Sequence, residues 1–203
     1  MDCEERKSRI SKLRVQIAGC QRCRLGATRT HTVPGEGSLE AALMFIGEAP
    51  GRNEDLQGKP FVGRAGEVFD TLLASVGLTR EQIYLCNILK CRPPENRSPL
   101  SDEVAACVGS LDIQIKIVNP RVLAPMGKFA STYILGKFGI PFANISSVHG
   151  KSFEAQTPSG PRVIIPLFHP AVATYDASKI DILLEDFQVL KKFLSPFVKD
   201  RGC

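Results

Sequence analysis

The sequence contains no tryptophan, only three histidines and three methionines, and no long apolar run. No stretch approaches the roughly 20 apolar residues of a transmembrane helix. The charged N-terminal residues lack the apolar region of a signal peptide. The nucleotide-binding patterns G-x-x-x-x-G-K-[ST] and G-x-G-x-x-G are also absent. We therefore expect a soluble, cytoplasmic protein that does not bind a membrane and carries neither of these nucleotide sites.

The length and net charge of the chain indicate a globular protein but do not define its function. The 203 residues, 43% of them hydrophobic, suffice for one packed domain, and we expect a single domain over residues 1–203. The net charge of +5 makes the chain mildly basic. Such a charge permits a polyanionic partner such as nucleic acid, but many metabolic enzymes have a similar balance.

Four of the seven cysteines have the pattern of a metal site. Cys20 and Cys23 form a C-x-x-C pair, Cys91 follows an apolar run, and Cys107 lies in a helical pattern. Thiolates from three separated segments predict a tetrahedral sulfur site that binds either zinc or an iron–sulfur cluster. Cys86 lies within an apolar run, and we expect it to be a buried hydrophobic residue.

Short apolar runs alternate with helical patterns along the chain. The runs predict four buried strands, at Ala42–Gly47, Ile83–Leu89, Val122–Met126 and Val163–Phe168. Helices are predicted over residues 4–17, 65–76, 101–117, 128–138 and 179–195, with Gly77 as a stop signal and Ser101 as an N-cap. This alternation predicts a three-layer α/β/α sandwich with a mainly parallel, four-stranded central sheet.

The segment after the first strand is rich in glycine and acidic residues. Residues 47–66 read GEAPGRNEDLQGKPFVGRAG, which allows tight turns and close approach of the backbone to a ligand. Backbone amides in such a loop, next to a helix N-terminus, favour an anion. Phe61 within this loop has two interpretations. It either anchors the loop to the core or provides an aromatic platform for a planar ligand.

Polar residues also follow the second and fourth strands. A buried Asn87 is either a structural amide or a group that matches the edge of a pyrimidine. Lys90, Arg92 and Arg97 are either a solvated basic run or contacts to phosphate. His169 is either a structural histidine, as a lone histidine at a strand end more often is, or a catalytic or ligand-polarising group; its place after the last strand, where active sites gather, supports the second interpretation.

Four motifs together resemble the iron–sulfur uracil-DNA glycosylases of the family 4 type. The motifs are GEAPGRNED, GKPFVGRAG, CNILKCRPPENR and FHPA, and the resemblance extends from Cys20 to about Tyr175. It implies an enzyme that flips uracil out of DNA and hydrolyses its N-glycosidic bond, leaving an abasic site for base excision repair. It also implies a 4Fe–4S cluster, whose ligands would be Cys20, Cys23, Cys91 and Cys107.

The resemblance implies roles for individual residues as well. Phe61 would stack on the flipped uracil, Asn87 would read its edge, and His169 would stabilise the charge on the leaving base. Ala49 would line the pocket. Glu48 would line it as well, and Glu54 would position or activate water. Independently of the resemblance, we expect the basic Lys90, Arg92 and Arg97 to contact DNA phosphates and Tyr175 to act as a wedge in the duplex. Residues 170–176 would push into the duplex as the base leaves.

Two departures from the related families concern the reaction. Ala49 occupies the place where related families carry an aspartate that activates water, so Glu54 and Glu48 are the candidates for this role. The segment CRPPENRSPLSD contains no histidine. This composition differs from the R-R-I-H loop of a related branch that bonds covalently to DNA, and so argues against that chemistry.

Other interpretations remain at this point. The chain is alternatively a non-catalytic 4Fe–4S module that binds nucleic acid, a small redox protein, or a zinc protein of the same fold. We expect a monomer that acts on single- or double-stranded DNA, with a sliding clamp or another replication or repair protein as a candidate partner. We expect the cluster to serve as a structural strut, because base excision moves no electrons.

Overall fold

A computed structural model describes residues 1–194 of the chain, and its centre is a six-stranded sheet. The strands are β1 (Glu36–Gly37), β2 (Leu43–Gly47), β3 (Tyr84–Asn87), β4 (Val122–Pro125), β5 (Phe153–Thr157) and β6 (Gly160–Ile164). Their order across the sheet is β1-β3-β2-β4-β6-β5. The four inner strands are parallel, and the two edge strands pair antiparallel with their neighbours.

Seven α-helices surround the sheet in the described part of the chain. They are α1 (Cys3–Ala18), α2 (Arg52–Gln57), α3 (Arg64–Ser75), α4 (Ser101–Val118), α5 (Gly127–Lys137), α6 (Val172–Tyr175) and α7 (Ile180–Leu194). Within residues 1–194, none of them is long and apolar enough to cross a bilayer.

The inner strands bury both faces, which produces three layers. Along β2, Met44 and Ile46 pack into the core beneath α1, α4 and α5. Leu43 and Phe45 pack into the opposite core, with α3 and α7. Successive side chains of a strand point to opposite faces, so a continuous apolar run is the expected pattern for a strand covered on both sides.

The four predicted strands are confirmed as the parallel core of the sheet, but the sheet has six strands rather than four. The two additional strands lie at the edges, where burial is lower and the residues are more polar. Neither edge strand has the continuous apolar run that identifies a strand buried on both faces. The last parallel strand spans 160–164 rather than 163–168, and only an isolated bridge between Met126 and Leu167 continues the pairing.

Of the two helix-end signals predicted from the sequence, one is confirmed and one is wrong. Gly77 has a φ of +74° just after α3, as its stop-signal role requires. Ser101 is the first residue of α4 rather than its N-cap, and the Glu103 carboxylate accepts a hydrogen bond from the Leu100 amide at 2.9 Å. The predicted end of the last helix at residue 195 lies outside the described residues.

The order of the strands creates a crevice at the carboxyl end of β2. From β2 the chain moves to β3 on one side, and it later returns to β4 on the other side. Such a reversal is the switch point at which open α/β sheets bind their ligands. The residues at the ends of β2, β3 and β4 are therefore the first place to look for a site.

Candidate active site and thiolate-lined cavity

Gly47 ends β2 and lies next to two of the predicted site residues. It pairs with Asn87 in the parallel register of β2 and β3. A Cβ atom added at Gly47 would collide with Asn87 Oδ1 and would lie 3.0 Å from Cζ of Phe61. The absence of a side chain at this position therefore allows the Asn87 amide and the Phe61 ring to meet over the strand end.

Asn87 carries a buried acceptor that the protein leaves free. The residue is 2% exposed, and Oδ1 has no hydrogen-bond partner within residues 1–194. Leaving a buried polar atom unpaired costs about 1–3 kcal/mol. An atom in this state is suited to accept a hydrogen bond from an N–H group of a bound ligand.

Phe61 lies in an unusual backbone conformation that Arg80 supports. Its φ is +54°, in the left-handed region that residues other than glycine rarely adopt. Arg80 Nη2 donates to the Phe61 carbonyl at 2.6 Å, and Nε donates to the Asp70 carboxylate at 2.6 Å. The ring packs against Phe69 at a centroid distance of 5.2 Å. Phe61 thus anchors its loop, as one interpretation expected, and its ring also faces the strand ends.

His169 follows β6 and is held as a neutral imidazole. Its ring is stacked on Phe61 with centroids 5.5 Å apart and planes inclined by 27°. Burial lowers the pKa of His169 from 6.5 to about 4. Because Nδ1 accepts a hydrogen bond from the Ala171 amide at 3.2 Å, the proton of the neutral ring lies on Nε2. The residue is thus a neutral Nε2–H donor at physiological pH.

A buried carboxylate that sequence reasoning missed supports the backbone in front of His169. Asp186 on α7 accepts a hydrogen bond from the Phe168 amide at 3.1 Å. Its other oxygen lies 2.7 Å from Nδ1 of His149, whose ring contacts that of Phe168 at 4.2 Å. The sequence did contain a signal for a buried, paired carboxylate at this position. Asp186 lies on the same apolar stripe of the helix as Leu183, Phe187 and Leu190, and a charge on such a stripe needs a partner.

The predicted acids and Ala49 lie around the glycine-rich loop. Glu48 follows β2 directly, and burial raises the pKa of its carboxyl. The Glu54 carboxylate lies between two loop glycines, with Oε2 2.7 Å from the position of a Cβ at Gly51 and Oε1 3.6 Å from that at Gly63. Ala49 is partly buried and packs against the core on the α1 and α4 side.

The four predicted cysteine ligands line one cavity. Cys20 and Cys23 come from the loop after α1, Cys91 from the segment after β3, and Cys107 from α4. The apolar part of the cavity wall is formed by Ile17, Leu25, Leu89 and Ala106. Within residues 1–194, no three His, Cys, Asp or Glu side chains are grouped as a single metal ion requires.

Two arginines donate hydrogen bonds to sulfur atoms of this cavity. Arg22 Nε lies 3.3 Å from Cys20 Sγ, and Arg29 Nη1 lies 3.3 Å from Cys91 Sγ. Burial raises the pKa of Cys20, but the hydrogen bonds from Arg22 outweigh it, so the net pKa is lowered. For Cys91 burial dominates, and its pKa is raised despite Arg29. Cationic donors beside a set of sulfur atoms fit a group held by thiolates.

The predicted DNA-binding residues fall into different environments. Lys90 is 2% exposed, and its Nζ donates to the Asn87 carbonyl and to Gln114 Oε1, both at 2.6 Å. This burial does not fit a contact to DNA phosphate, and the prediction for Lys90 is corrected. The available signal was the apolar surroundings of Lys90 in the sequence, because Ile88, Leu89 and Cys91 all pack into the core beneath α1 and α4.

The other three predicted DNA-binding residues, Arg92, Arg97 and Tyr175, are at least partly accessible. Arg97 donates through Nη2 to the buried Glu103 carboxylate at 2.6 Å, so this guanidinium fixes the loop to the start of α4. Arg92 is partly exposed and donates to Asn96 Oδ1 at 2.7 Å. Tyr175 is 91% exposed at the end of α6, a short helix in the segment predicted to be a loop.

Comparisons with known proteins agree on one family. The model of the uracil DNA glycosylase superfamily matches residues 34–195. The chain is 40% identical over 184 residues to a type-4 uracil-DNA glycosylase of Sulfurisphaera tokodaii, covering 90% of this chain and 84% of that protein. It is 44% identical over 160 residues to the type-4 enzyme of Archaeoglobus fulgidus, covering 79% of this chain and 80% of that one. For the type-4 enzyme of Thermotoga maritima the identity is 40% over 182 residues, with 88% and 91% covered. The chain therefore belongs to the uracil DNA glycosylase superfamily.

Proposed function

We propose that this protein is a monofunctional uracil-DNA glycosylase that flips uracil out of DNA and hydrolyses its N-glycosidic bond. The products are free uracil and an abasic site, which begins base excision repair. The observation that carries the proposal is the unpaired, buried Oδ1 of Asn87, which lies against Gly47 beside Phe61. A base that has left the helix needs an aromatic surface and a polar edge of this kind.

Asn87 supplies selectivity for uracil over cytosine. Its Oδ1 accepts the N3–H of uracil, and its Nδ2 donates to O4. Cytosine has an acceptor at N3 and an amino group at C4, so both contacts would join like groups. Since Oδ1 is already desolvated, only a ligand with a donor at this position repays the cost of burying it.

His169 stabilises the leaving group. As the glycosidic bond breaks, negative charge develops on the base and positive charge on the sugar. The Nε2–H of neutral His169 donates a hydrogen bond to the developing anion without transferring its proton. Phe61 stacks on the base and excludes water from that side of the pocket.

A carboxylate at the glycine-rich loop positions water for attack on the sugar. The water oxygen bonds to C1′, its proton passes to the carboxylate, and the bonding electrons leave with the base. Glu54 and Glu48 are the two candidates. Burial raises the pKa of Glu48, which makes its carboxylate a better base than it would be in water. Ala49 lines the pocket through its backbone.

DNA reaches this pocket from the exposed edge of the sheet. Arg92 contacts backbone phosphates, and the highly exposed Tyr175 enters the space that the flipped nucleotide leaves. The mild positive charge of the chain supports binding of single- or double-stranded DNA. The protein acts as a cytoplasmic monomer, and a sliding clamp or another replication or repair protein is a candidate partner.

Cys20, Cys23, Cys91 and Cys107 hold a 4Fe–4S cluster. The four cysteines line one cavity, which supports a shared site, and the hydrogen bonds from Arg22 and Arg29 support anionic thiolates. When bound, the cluster cross-links three chain segments and takes no part in bond cleavage. Cys91→Ala should accordingly lower the folded yield and the DNA affinity together.

Strand cleavage tests this function directly. The anaerobically purified protein is incubated with a uracil-containing oligonucleotide and then with alkali, which cuts abasic sites. We expect cleavage at the uracil only, and none in the matched thymine oligonucleotide. Uncut single- and double-stranded substrates would refute the enzyme, and tight binding without cleavage would favour the non-catalytic module.

A further inference from the structure

Lys90 is a buried cation that lies between the thiolate-lined cavity and the uracil pocket. It is among the largest fully buried side chains of the described residues, and it lines the cavity together with the four cysteines. Its Nζ donates to the backbone carbonyl of Asn87 at 2.6 Å. Lys90 therefore lines the sulfur-lined cavity, and its ammonium contacts the backbone of the residue that reads the base.

The partners of Lys90 within hydrogen-bond distance are uncharged. Gln114 Oε1 accepts from Nζ at 2.6 Å, and the orientation of this amide is fixed because Nε2 donates to the Pro34 carbonyl and to Tyr84 Oη. The Cys86 thiol is a further partner. Within residues 1–194, no carboxylate lies within 4.0 Å of the ammonium.

A buried ammonium without a counter-charge is unfavourable. The thiolate-lined cavity next to Lys90 provides that negative charge. Four thiolates carry more negative charge than an iron–sulfide core neutralises, so a cluster bound there is anionic. The Lys90 backbone amide donates a hydrogen bond to the sulfur of Cys107, which places Lys90 directly beside this site. The ammonium is therefore oriented by neutral acceptors and compensated by the sulfur site beside it.

We propose that Lys90 is a positioning residue that couples the cluster site to uracil recognition, pairing electrostatically with the thiolates while its hydrogen bond holds the Asn87 backbone in register. The proposal has two parts: the ion pairing of Lys90 with the cluster site, and the hydrogen bond that positions Asn87. Only the second part rests on the proposed function. The two parts can be tested separately, because the pairing needs a positive charge whereas positioning Asn87 needs only a hydrogen-bond donor.

Two substitutions at Lys90 separate these parts. Lys90→Met removes both the charge and the donor, whereas Lys90→Gln keeps a neutral donor on a side chain one bond shorter. Lys116→Met is the matched control, because Lys116 is an exposed lysine on α4. Each purified holoprotein is measured for the rate of iron release to a chelator, and for KM and kcat on a uracil-containing oligonucleotide.

We expect Lys90→Met to release iron several-fold faster and to raise KM about tenfold, with a smaller change in kcat, because one charge-assisted hydrogen bond is lost. Lys90→Gln should release iron as fast as Lys90→Met but should recover most of the KM. Lys116→Met should match the parent in both measurements. If Lys90→Met does not fold, Lys90→Gln still tests the charge through iron release.

Two results would overturn the coupling. One is a folded Lys90→Met or Lys90→Gln protein with the parental rate of iron release. The other is a parental KM in Lys90→Met. A parent protein that does not excise uracil would refute the proposed function instead, and the iron-release comparison would still decide whether Lys90 pairs with the cluster.

Discussion

Replacing Gly47 by alanine tests the geometry of the pocket with a single methyl group. The added Cβ would lie 3.0 and 3.1 Å from Cζ and Cε2 of Phe61, and closer still to Asn87 Oδ1. Carbon atoms pack best at about 3.5–4.0 Å, so the ring must move by roughly 0.5–1 Å and the amide by more. Both groups that we propose hold the base would be displaced together.

A displacement of about 1 Å at a reacting site can cost around 100-fold in rate. We therefore expect Gly47→Ala to lower kcat/KM for uracil excision by about two orders of magnitude, measured by single-turnover cleavage of a uracil oligonucleotide followed by alkali. Gly136→Ala on α5 is the matched control, because no atom lies within 4 Å of its added Cβ. Parental activity in a folded Gly47→Ala protein would show that Asn87 and Phe61 do not bind the base as proposed.

Three further predictions concern the residues that touch the base. His169→Ala should slow excision about 10²–10³-fold, because one donor to a developing anion is lost. DNA affinity, measured by gel-shift titration, should fall less. An equal loss of excision rate and DNA affinity would contradict a role for His169 in stabilising the leaving base. Asn87→Asp should reduce discrimination between uracil and cytosine in paired oligonucleotide assays, because a carboxylate accepts hydrogen bonds and does not donate to O4. The depressed pKa of His169, about 4 against 6.5 unfolded, should make the protein lose about 3 kcal/mol of stability as the pH falls from 6.5 to 4. Denaturant unfolding at several pH values checks this, and His169→Gln should remove this part of the loss.

The sequence predicted the parallel core and the location of the site because both depend on local patterns. Four apolar runs are enough to indicate strands covered on both faces, and polar residues directly after them must meet at the same edge of the sheet. The edge strands gave no such pattern. The glycine-rich loop was recognisable from its composition. The structure gives the reason for one of these glycines, because a side chain at Gly47 would collide with Asn87.

The supporting residues were harder to predict because their partners are distant in the chain. Arg80 holds the carbonyl of Phe61, 19 positions earlier, and Gln114 reaches Pro34, 80 positions earlier. Gln114 lies on the same apolar stripe of α4 as Leu111 and Ile115, which indicates burial but not the partner. The sequence identified Arg97 as a basic residue of a loop but did not show that its partly exposed guanidinium pairs with the buried Glu103 carboxylate.

The sequence by itself determined the cysteine pattern, the four parallel strands and the motifs that resemble one family of DNA repair enzymes. Composition, spacing and periodicity are enough for these features, because each is read from residue types and their order without knowing which side chains meet in space. Only the tertiary structure decided that Lys90 faces inward, that His169 is neutral with its proton on Nε2, and that Asn87 Oδ1 is buried without a partner. Charge state and hydrogen bonding depend on solvent exclusion by residues from several elements, which a linear pattern does not specify.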